Sequence, residues 1–210
     1  MPRLARLTCQ GGFYHLYNRG LNKQKIFHHQ KDYEKLLNKL SSLLLAGDWI
    51  IYAYCLMPNH YHFLVEERKT PIAKLIGRLF TSYGVFFNKK YQRNGPLFAD
   101  RFKSKIVQKD SYFLEVSRYI HLNPVEAKLV KAPEDYPYSS LGEYAGKYHR
   151  NIINLEKVTT LLGDHKYRLE NYFEFVRAGM ELDLEKYNPF ASKDEVLGSP
   201  AFSTHRKMTQ

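Results

Sequence analysis

Trp49-Ile50-Ile51-Tyr52-Ala53-Tyr54-Cys55-Leu56, then Met57-Pro58-Asn59, then His60-Tyr61-His62-Phe63-Leu64-Val65-Glu66 is the stretch whose reading decides the fold. Both flanking runs are rich in aromatic and β-branched residues, and a short break containing proline separates them. That pattern predicts two strands closed as a hairpin. Side chains alternate between faces along a strand, so His60 and His62 project from one face, roughly 6–7 Å apart along the backbone. Two imidazoles on one face can converge on a single cation, imidazole being the commonest protein metal ligand. They can equally pack and hydrogen-bond inside a sheet, and the pair alone does not choose between these.

Outward from the hairpin, residues 13–18 form a strand that ends in a polar turn, Arg19-Gly20-Leu21-Asn22. Leucines at 36, 37, 40, 43 and 44 predict a helix over 32–46, with Gly47 where a C-terminal cap is expected. Thr70-Pro71 reads as an N-cap with proline at the first helical position. The helix after it buries Ile72, Leu75, Ile76, Leu79, Phe80 and Tyr83. A loop over 92–100 contains Asn94-Gly95-Pro96, a half-buried strand covers 101–108, and Asp110 caps a helix running to about Leu122.

The order is β-α-β-β-α-β plus a further helix: an α+β, ferredoxin-like antiparallel sheet with helices on one face plus C-terminal helices. In that topology the spatial order is 4-1-3-2, which places the histidine strand mid-sheet, a rigid mount for a site. The chain divides into a domain over 1–145, a short helical extension over 146–180 with helices at 155–162 and 165–178, and a loosely structured tail over 181–210.

Hydrophobic content of 44% and aromatic content of 15% provide a real core. The net charge of +11 is uneven: residues 1–131 hold 22 Lys/Arg against 9 Asp/Glu, residues 132–210 hold 10 against 12. A basic body points to a polyanionic partner, nucleic acid above all, although a merely solvated surface has the same signature. The two cysteines, Cys9 and Cys55, form no disulfide framework or zinc knuckle and suit a reducing compartment. No apolar run approaches the roughly 18–20 residues of a membrane span, and the N-terminus lacks the apolar core of a secretory signal. The expectation is a cytoplasmic, nucleoid-associated protein with no membrane partner.

Tyr119 and Asn123 lie four residues apart and share one helix face. Phe113, Val116 and Ile120 form an adjacent stripe that packs on the sheet and lets Tyr119 reach toward the histidine face. A phenol is a weak nucleophile near neutral pH unless its electrophile is activated. A divalent ion held by His60 and His62 would polarise a scissile phosphate, and attack by Tyr119 would give a phosphotyrosine intermediate that conserves bond energy for rejoining. Asn123 is the candidate third ligand. It is also a candidate N-cap, because Asn123-Pro124-Val125-Glu126 places proline and glutamate at favoured positions of a new helix. His15 and His121 are further candidates, each read first as structural. Arg19, Lys23, Lys25, Arg93, Arg101, Lys103 and Lys105 are the candidate DNA contacts, with Tyr14, Tyr17, Phe98 and Phe102 as stacking surfaces or ordinary core aromatics.

Four segments together resemble the REP-associated tyrosine transposases, within the single-tyrosine HUH endonucleases. They are Tyr14-His15-Leu16-Tyr17-Asn18-Arg19-Gly20, residues 54–64 around Met57-Pro58-Asn59-His60-Tyr61-His62, Arg101-Phe102-Lys103-Ser104, and Arg118-Tyr119-Ile120-His121-Leu122-Asn123-Pro124-Val125. Pro137-Tyr138-Ser139-Ser140 is similar to the family's ending. The resemblance implies a metal-dependent enzyme that cuts and rejoins single-stranded DNA at hairpins formed by palindromic repeats. It implies His60 and His62 on Mg²⁺ or Mn²⁺, Asn123 completing the metal shell, and Tyr119 forming a 5′-phosphotyrosine. Both monomers and homodimers occur in such families. Two positions depart from the pattern: Glu126 and Lys128 stand where the family usually has Arg and Gly. A non-catalytic single-strand-binding module and a replication initiator with the same chemistry are the alternative readings.

Overall fold

Strands form where the sequence is continuously apolar or strictly alternating, and all of the expected ones are present. The computed structural model describes residues 9, 11–107, 112–155, 168–182, 188, 190 and 196–197. In chain order the elements are β1 (Phe13–Arg19), α1 (Gln30–Leu44), β2 (Trp49–Met57), β3 (His60–Glu67), α2 (Ile72–Lys90), β4 (Lys103–Val107), α3 (Phe113–Glu126), α4 (Leu141–Tyr144), α5 (Arg168–Ala178) and β5 (Val196–Leu197).

The sheet order is β2-β3-β1-β4-β5. The first four strands are antiparallel in the 4-1-3-2 arrangement, with His60–Glu67 inside the sheet between β2 and β1. β5 is a short parallel addition beside β4, so a stretch expected to be loose contributes a strand. The helix expected at 155–162 and the proposed cap Asp110 fall largely or wholly outside the described residues.

Alternation assigns the two sheet faces. Tyr14 and Leu16 of β1 and Tyr61, Phe63 and Val65 of β3 join α1 and α2 in one core. Phe13 and Leu64 point the other way, into a second core with Phe113, Val116 and Ile120 of α3 and Tyr172 and Val176 of α5. The two crossover helices thus share one face, and α3 covers part of the opposite one. β2 is buried on both faces, which explains its unbroken apolar run. A bulge between Ile51 and Ala53 reverses its alternation, so Ile51 and then Tyr54 and Leu56 all face the α1/α2 core.

The hairpin tip is clamped by the loop after β1. The amides of Ile26 and Phe27 donate to the Pro58 carbonyl at 2.7 and 3.1 Å, and that of Gly20 donates to Asn59 at 2.8 Å. The loop folds back so tightly that a Cβ on Gly20 would lie 2.2 Å from the Gln24 carbonyl, which is why glycine follows Arg19.

Helix ends differ from expectation in three places. α1 starts at Gln30, because Asp32 accepts from the amides of His28 and His29 at 2.9 and 3.0 Å. Pro71 is itself the N-cap of α2. Thr70 is turned to Asp48, and the Glu67 carboxylate takes the Ile72 amide at 2.7 Å. Finally, α3 runs through Pro124 to Glu126, so Asn123 is not an N-cap.

α3 ends in a Schellman motif: the Lys128 amide donates to Val125 at 2.8 Å and the Leu129 amide to Pro124 at 2.9 Å. Lys128 holds the left-handed φ of 57° that this motif demands. Glycine adopts that conformation without the Cβ penalty, which gives a physical reason for a glycine at this position. Lys128→Gly is expected to raise unfolding stability by about 1 kcal/mol; a lower urea midpoint in the variant contradicts this.

Candidate active site

The face of β1 and β3 left open beside α3 carries His15, Tyr17, His60 and His62. Tyr119 of α3, only 4% exposed, packs on two of them, its ring centroid 5.5 Å from His62 and 6.0 Å from His15. Asn123, one turn further along α3, donates its amide Nδ2 to the Tyr119 carbonyl at 2.7 Å. That bond fixes the carboxamide so that Oδ1 faces His60 Nε2, 3.5 Å away.

The proton inventory of His60 follows from its other nitrogen. Nδ1 lies 2.7 Å from Asn59 Oδ1, an atom that can only accept, so Nδ1 carries the hydrogen. Asn59 is held in this orientation by its own Nδ2, which donates to the Lys23 carbonyl at 3.3 Å. The Nε2 lone pair of His60 therefore faces the lone pairs of Asn123 Oδ1, two acceptors with no proton between them. Burial pushes the His60 pKa down to about 4, with the Arg19 charge adding to the effect, so the ring stays neutral near pH 7.

His62 is fully buried. Its Nδ1 meets His15 Nε2 at 3.0 Å. The outer nitrogens of this pair, His62 Nε2 and His15 Nδ1, have no hydrogen-bond partner among the described residues. Burial also lowers both pKa values, that of His15 to about 3, and the Lys105 charge lowers His15 further. A buried unpaired nitrogen costs roughly 1–3 kcal/mol, so an orphan beside a second lone pair and a carboxamide oxygen suits a metal ligand set. Among the described residues no cluster of three or more His, Cys, Asp or Glu is placed to hold a metal. The donors that fit are two imidazoles and one carboxamide: His60 Nε2, His62 Nε2 and Asn123 Oδ1.

His121 lies outside this group. It packs with Tyr144 and Tyr172, Nε2 bonding Ser140 at 2.7 Å and Nδ1 bonding Tyr172 at 2.7 Å. Tyr172 in turn donates to Ser117 at 3.0 Å, and the Ser140 hydroxyl accepts from the Tyr54 amide at 2.9 Å. Pro137-Tyr138-Ser139-Ser140 thus ties α3 to the outer edge of β2, a structural role. Burial lowers His121 to about 3 as well.

Acid is expected to destabilise the fold through these rings. Unfolded imidazoles bind protons below about pH 6.5, whereas His15, His60 and His121 resist until about 3 to 4. Stability is therefore complete above pH 6.5 and falls with decreasing pH, by up to about 1.4 kcal/mol per unit for each histidine. Urea midpoints that do not change from pH 7 to 4.5 contradict this.

The expected DNA contacts divide. Arg19, Lys23, Lys25, Arg101 and Lys103 are exposed. Arg93 is half-buried, its guanidinium bonded to Gln24 at 3.0 Å and lying over the Phe87 ring. Lys105 is only 2% exposed and sits opposite His15 in the sheet, so it is an interior charge and not a surface contact. Strand alternation placed it beside Lys103 on one face of β4, but alternation carries no information on what encloses that face. Tyr14 likewise belongs to the α1/α2 core, and Phe98 packs on Tyr61 and Phe80. Of the four aromatics only Tyr17 faces the histidines.

Sequence reasoning did not anticipate Asn59 as the residue that sets the His60 tautomer, nor Phe190, whose ring lies 5.7 Å from both His60 and His62. The first was hidden in what read as a strand break. The second lies 128 residues beyond His62, in a tail without periodicity.

Fold and site together define a ferredoxin-like α+β protein with a phenol, an imidazole pair and a carboxamide gathered on one sheet face. The chain belongs to the IS200-like transposases: the family model described as "Transposase IS200 like" matches residues 9–123, from before β1 to Asn123. A solved structure of "the REP associates tyrosine transposase bound to a REP hairpin" superposes with a TM-score of 0.58 at 16% identity. The match covers 75% of this chain and 96% of that one, a likeness of fold. No curated protein sequence matches the chain significantly.

Proposed function

We propose that this transposase is a metal-dependent endonuclease that cleaves single-stranded DNA beside palindromic hairpins and rejoins it through a 5′-phosphotyrosine on Tyr119. The observation that carries the reading is that His60 Nε2, with its hydrogen on Nδ1, faces Asn123 Oδ1 at 3.5 Å, and that the buried His62 Nε2 has no hydrogen-bond partner among the described residues, its ring 5.5 Å from that of Tyr119. A divalent cation held there, Mg²⁺ or Mn²⁺, would neutralise charge on the scissile phosphate.

The chain's own residues supply the rest. His62 can offer its Nε2 lone pair only if Nδ1 carries the hydrogen and donates to His15, which makes His15 a positioning residue for the ligand. Asn59 does the same for His60. Tyr119 attacks phosphorus, the P–O3′ bond breaks, and the phenolic proton passes to solvent or to the departing 3′-oxygen. Arg19, Lys23, Lys25, Arg101 and Lys103 hold the backbone phosphates. Hairpin DNA as substrate is supported by family membership and by the hairpin bound to the solved relative. The basic body over residues 1–131 agrees with such a partner.

The test is incubation of the full chain with single-stranded hairpin oligonucleotides carrying unpaired flanks, followed by denaturing electrophoresis. A covalent adduct is expected with Mn²⁺ or Mg²⁺ and none in EDTA. Absence of adduct over a broad set of hairpins in both metals refutes the reading. Salt-sensitive binding that ignores metal would then favour the non-catalytic module.

A further inference from the structure

On the side away from Tyr119 and Asn123, α3 is held by a chain of buried polar groups. Ser117 and His121 flank Tyr119 two residues away, and at 3.6 residues per turn that puts them roughly 160° around the helix from it. Both are fully buried. His121 Nε2 meets the Ser140 hydroxyl at 2.7 Å, its Nδ1 meets the Tyr172 hydroxyl at 2.7 Å, and Tyr172 reaches Ser117 at 3.0 Å. Ser140 belongs to the segment bonded along β2, and Tyr172 belongs to α5. The chain therefore runs from the edge of the sheet, across the back of α3, into α5. The two helices are in close contact at this point. A Cβ on Gly179, just past the end of α5, would lie 2.6 Å from Arg118 Cδ and 2.8 Å from Leu122 Cδ1.

The hydrogens along this chain order consistently. Ser117 gives its hydrogen to the Leu114 carbonyl at 2.8 Å, so toward Tyr172 it accepts. Tyr172 then has no hydrogen left for His121, and His121 Nδ1 donates. The lone pair of His121 Nε2 is left facing Ser140, whose hydrogen meets it at 2.7 Å, nearer than the Tyr54 carbonyl at 3.2 Å. Ser140 in turn accepts from the Tyr54 amide at 2.9 Å. Every member is satisfied. Apolar contact is non-directional and lets a helix turn or slide on a sheet, whereas a fully satisfied buried hydrogen-bond chain favours one rotation of α3.

Resting on the cleavage reading for the role of Tyr119, we propose that Tyr172 is a positioning residue: through its bonds to His121 and Ser117, α5 sets the rotation of α3 that turns Tyr119 and Asn123 to the histidines. α5 lies beyond the residues 9–123 that the family model matches, so the catalytic unit extends through it. A turn of α3 that displaces Tyr119 by about 1 Å slows the chemical step. It leaves DNA affinity alone, because Arg19, Lys23, Lys25, Arg101 and Lys103 lie on other parts of the chain.

Tyr172→Phe keeps the ring stacked on Tyr144 at 4.9 Å and removes only the hydroxyl. In the full chain it is expected to slow adduct formation at saturating hairpin by about tenfold, with hairpin affinity in EDTA unchanged. Ser117→Ala, which leaves the Tyr172–His121 bond in place, should fall between this variant and the wild type. Val176→Ala is the control, since it thins the buried apolar face of α5 without touching a polar group. At a temperature where all variants are folded, its rate should match the wild type. A readout free of DNA and metal is NMR of the His62 ring, which stands perpendicular to the Tyr119 ring at 5.5 Å. Its resonances should shift in Tyr172→Phe and stay in place in Val176→Ala. Unshifted His62 resonances in Tyr172→Phe overturn the proposal, and so does a rate loss that Val176→Ala shares. A shifted His62 ring in a protein whose wild type forms no adduct keeps the positioning role and removes the cleavage reading; an adduct with unshifted resonances does the reverse.

Discussion

Tyr119→Phe is expected to abolish the covalent protein–DNA adduct while leaving the fold and hairpin affinity in place. The phenyl ring is retained, so the contacts with His15 and His62 and the 4% exposed position on α3 remain filled. Only the nucleophilic oxygen is lost. Removing a nucleophile typically costs about 10⁴-fold or more in rate, which takes adduct formation below detection. The measurement is denaturing electrophoresis with Mn²⁺ alongside anisotropy in EDTA. An adduct that persists in Tyr119→Phe at wild-type yield sinks the assignment of the nucleophile; an adduct and an affinity lost together point to misfolding instead.

His62→Ala is expected to remove metal-dependent cleavage by about 10³-fold, the several kcal/mol that a Lewis acid contributes at a phosphoryl group. Its position explains why the effect exceeds that of deleting one ligand. His62 is fully buried between β1 and β2, and its Nδ1 bonds His15 at 3.0 Å. Truncation therefore also strands His15 Nε2, at a cost of about 1–3 kcal/mol in stability. Calorimetric titration with Mn²⁺ separates the two consequences: binding should vanish in His62→Ala at a temperature where the variant is still folded. Unchanged Mn²⁺ affinity in the folded variant would show that His62 Nε2 is not a ligand. Asn59→Ala offers a milder companion, because it frees the His60 tautomer without touching a donor atom.

Much of the site was legible because strands and helices have fixed periods. Two residues apart in a strand means one face, which placed His60 with His62. Four apart in a helix means neighbours, which placed Tyr119 with Asn123. Reading β-α-β-β-α-β in order then fixed the 4-1-3-2 sheet and the central position of the histidine strand. Burial was less legible. Lys105 lies on the face that alternation assigns it, yet it is enclosed, since a strand's period says nothing about what covers the strand.

Asn123 shows the limit most clearly. Asparagine before Pro-Val-Glu satisfies the local rules for starting a helix, and local rules alone leave ligand and cap open. The cap is excluded because α3 continues through Pro124 to Glu126, held by His121 against Ser140 and by α5 against its outer side. With no new helix to cap, the carboxamide bonds Tyr119 and turns its oxygen to His60.

The sequence by itself determined the sheet topology, the histidine pair, the tyrosine and the basic character of the first 131 residues, because each follows from spacing or from a count of charges. Tertiary structure alone decided the tautomer of His60, the His15–His62 bond and the presence of Phe190 among the imidazoles. Those depend on which atoms meet across 47 or 128 residues of chain, and no local period carries that information.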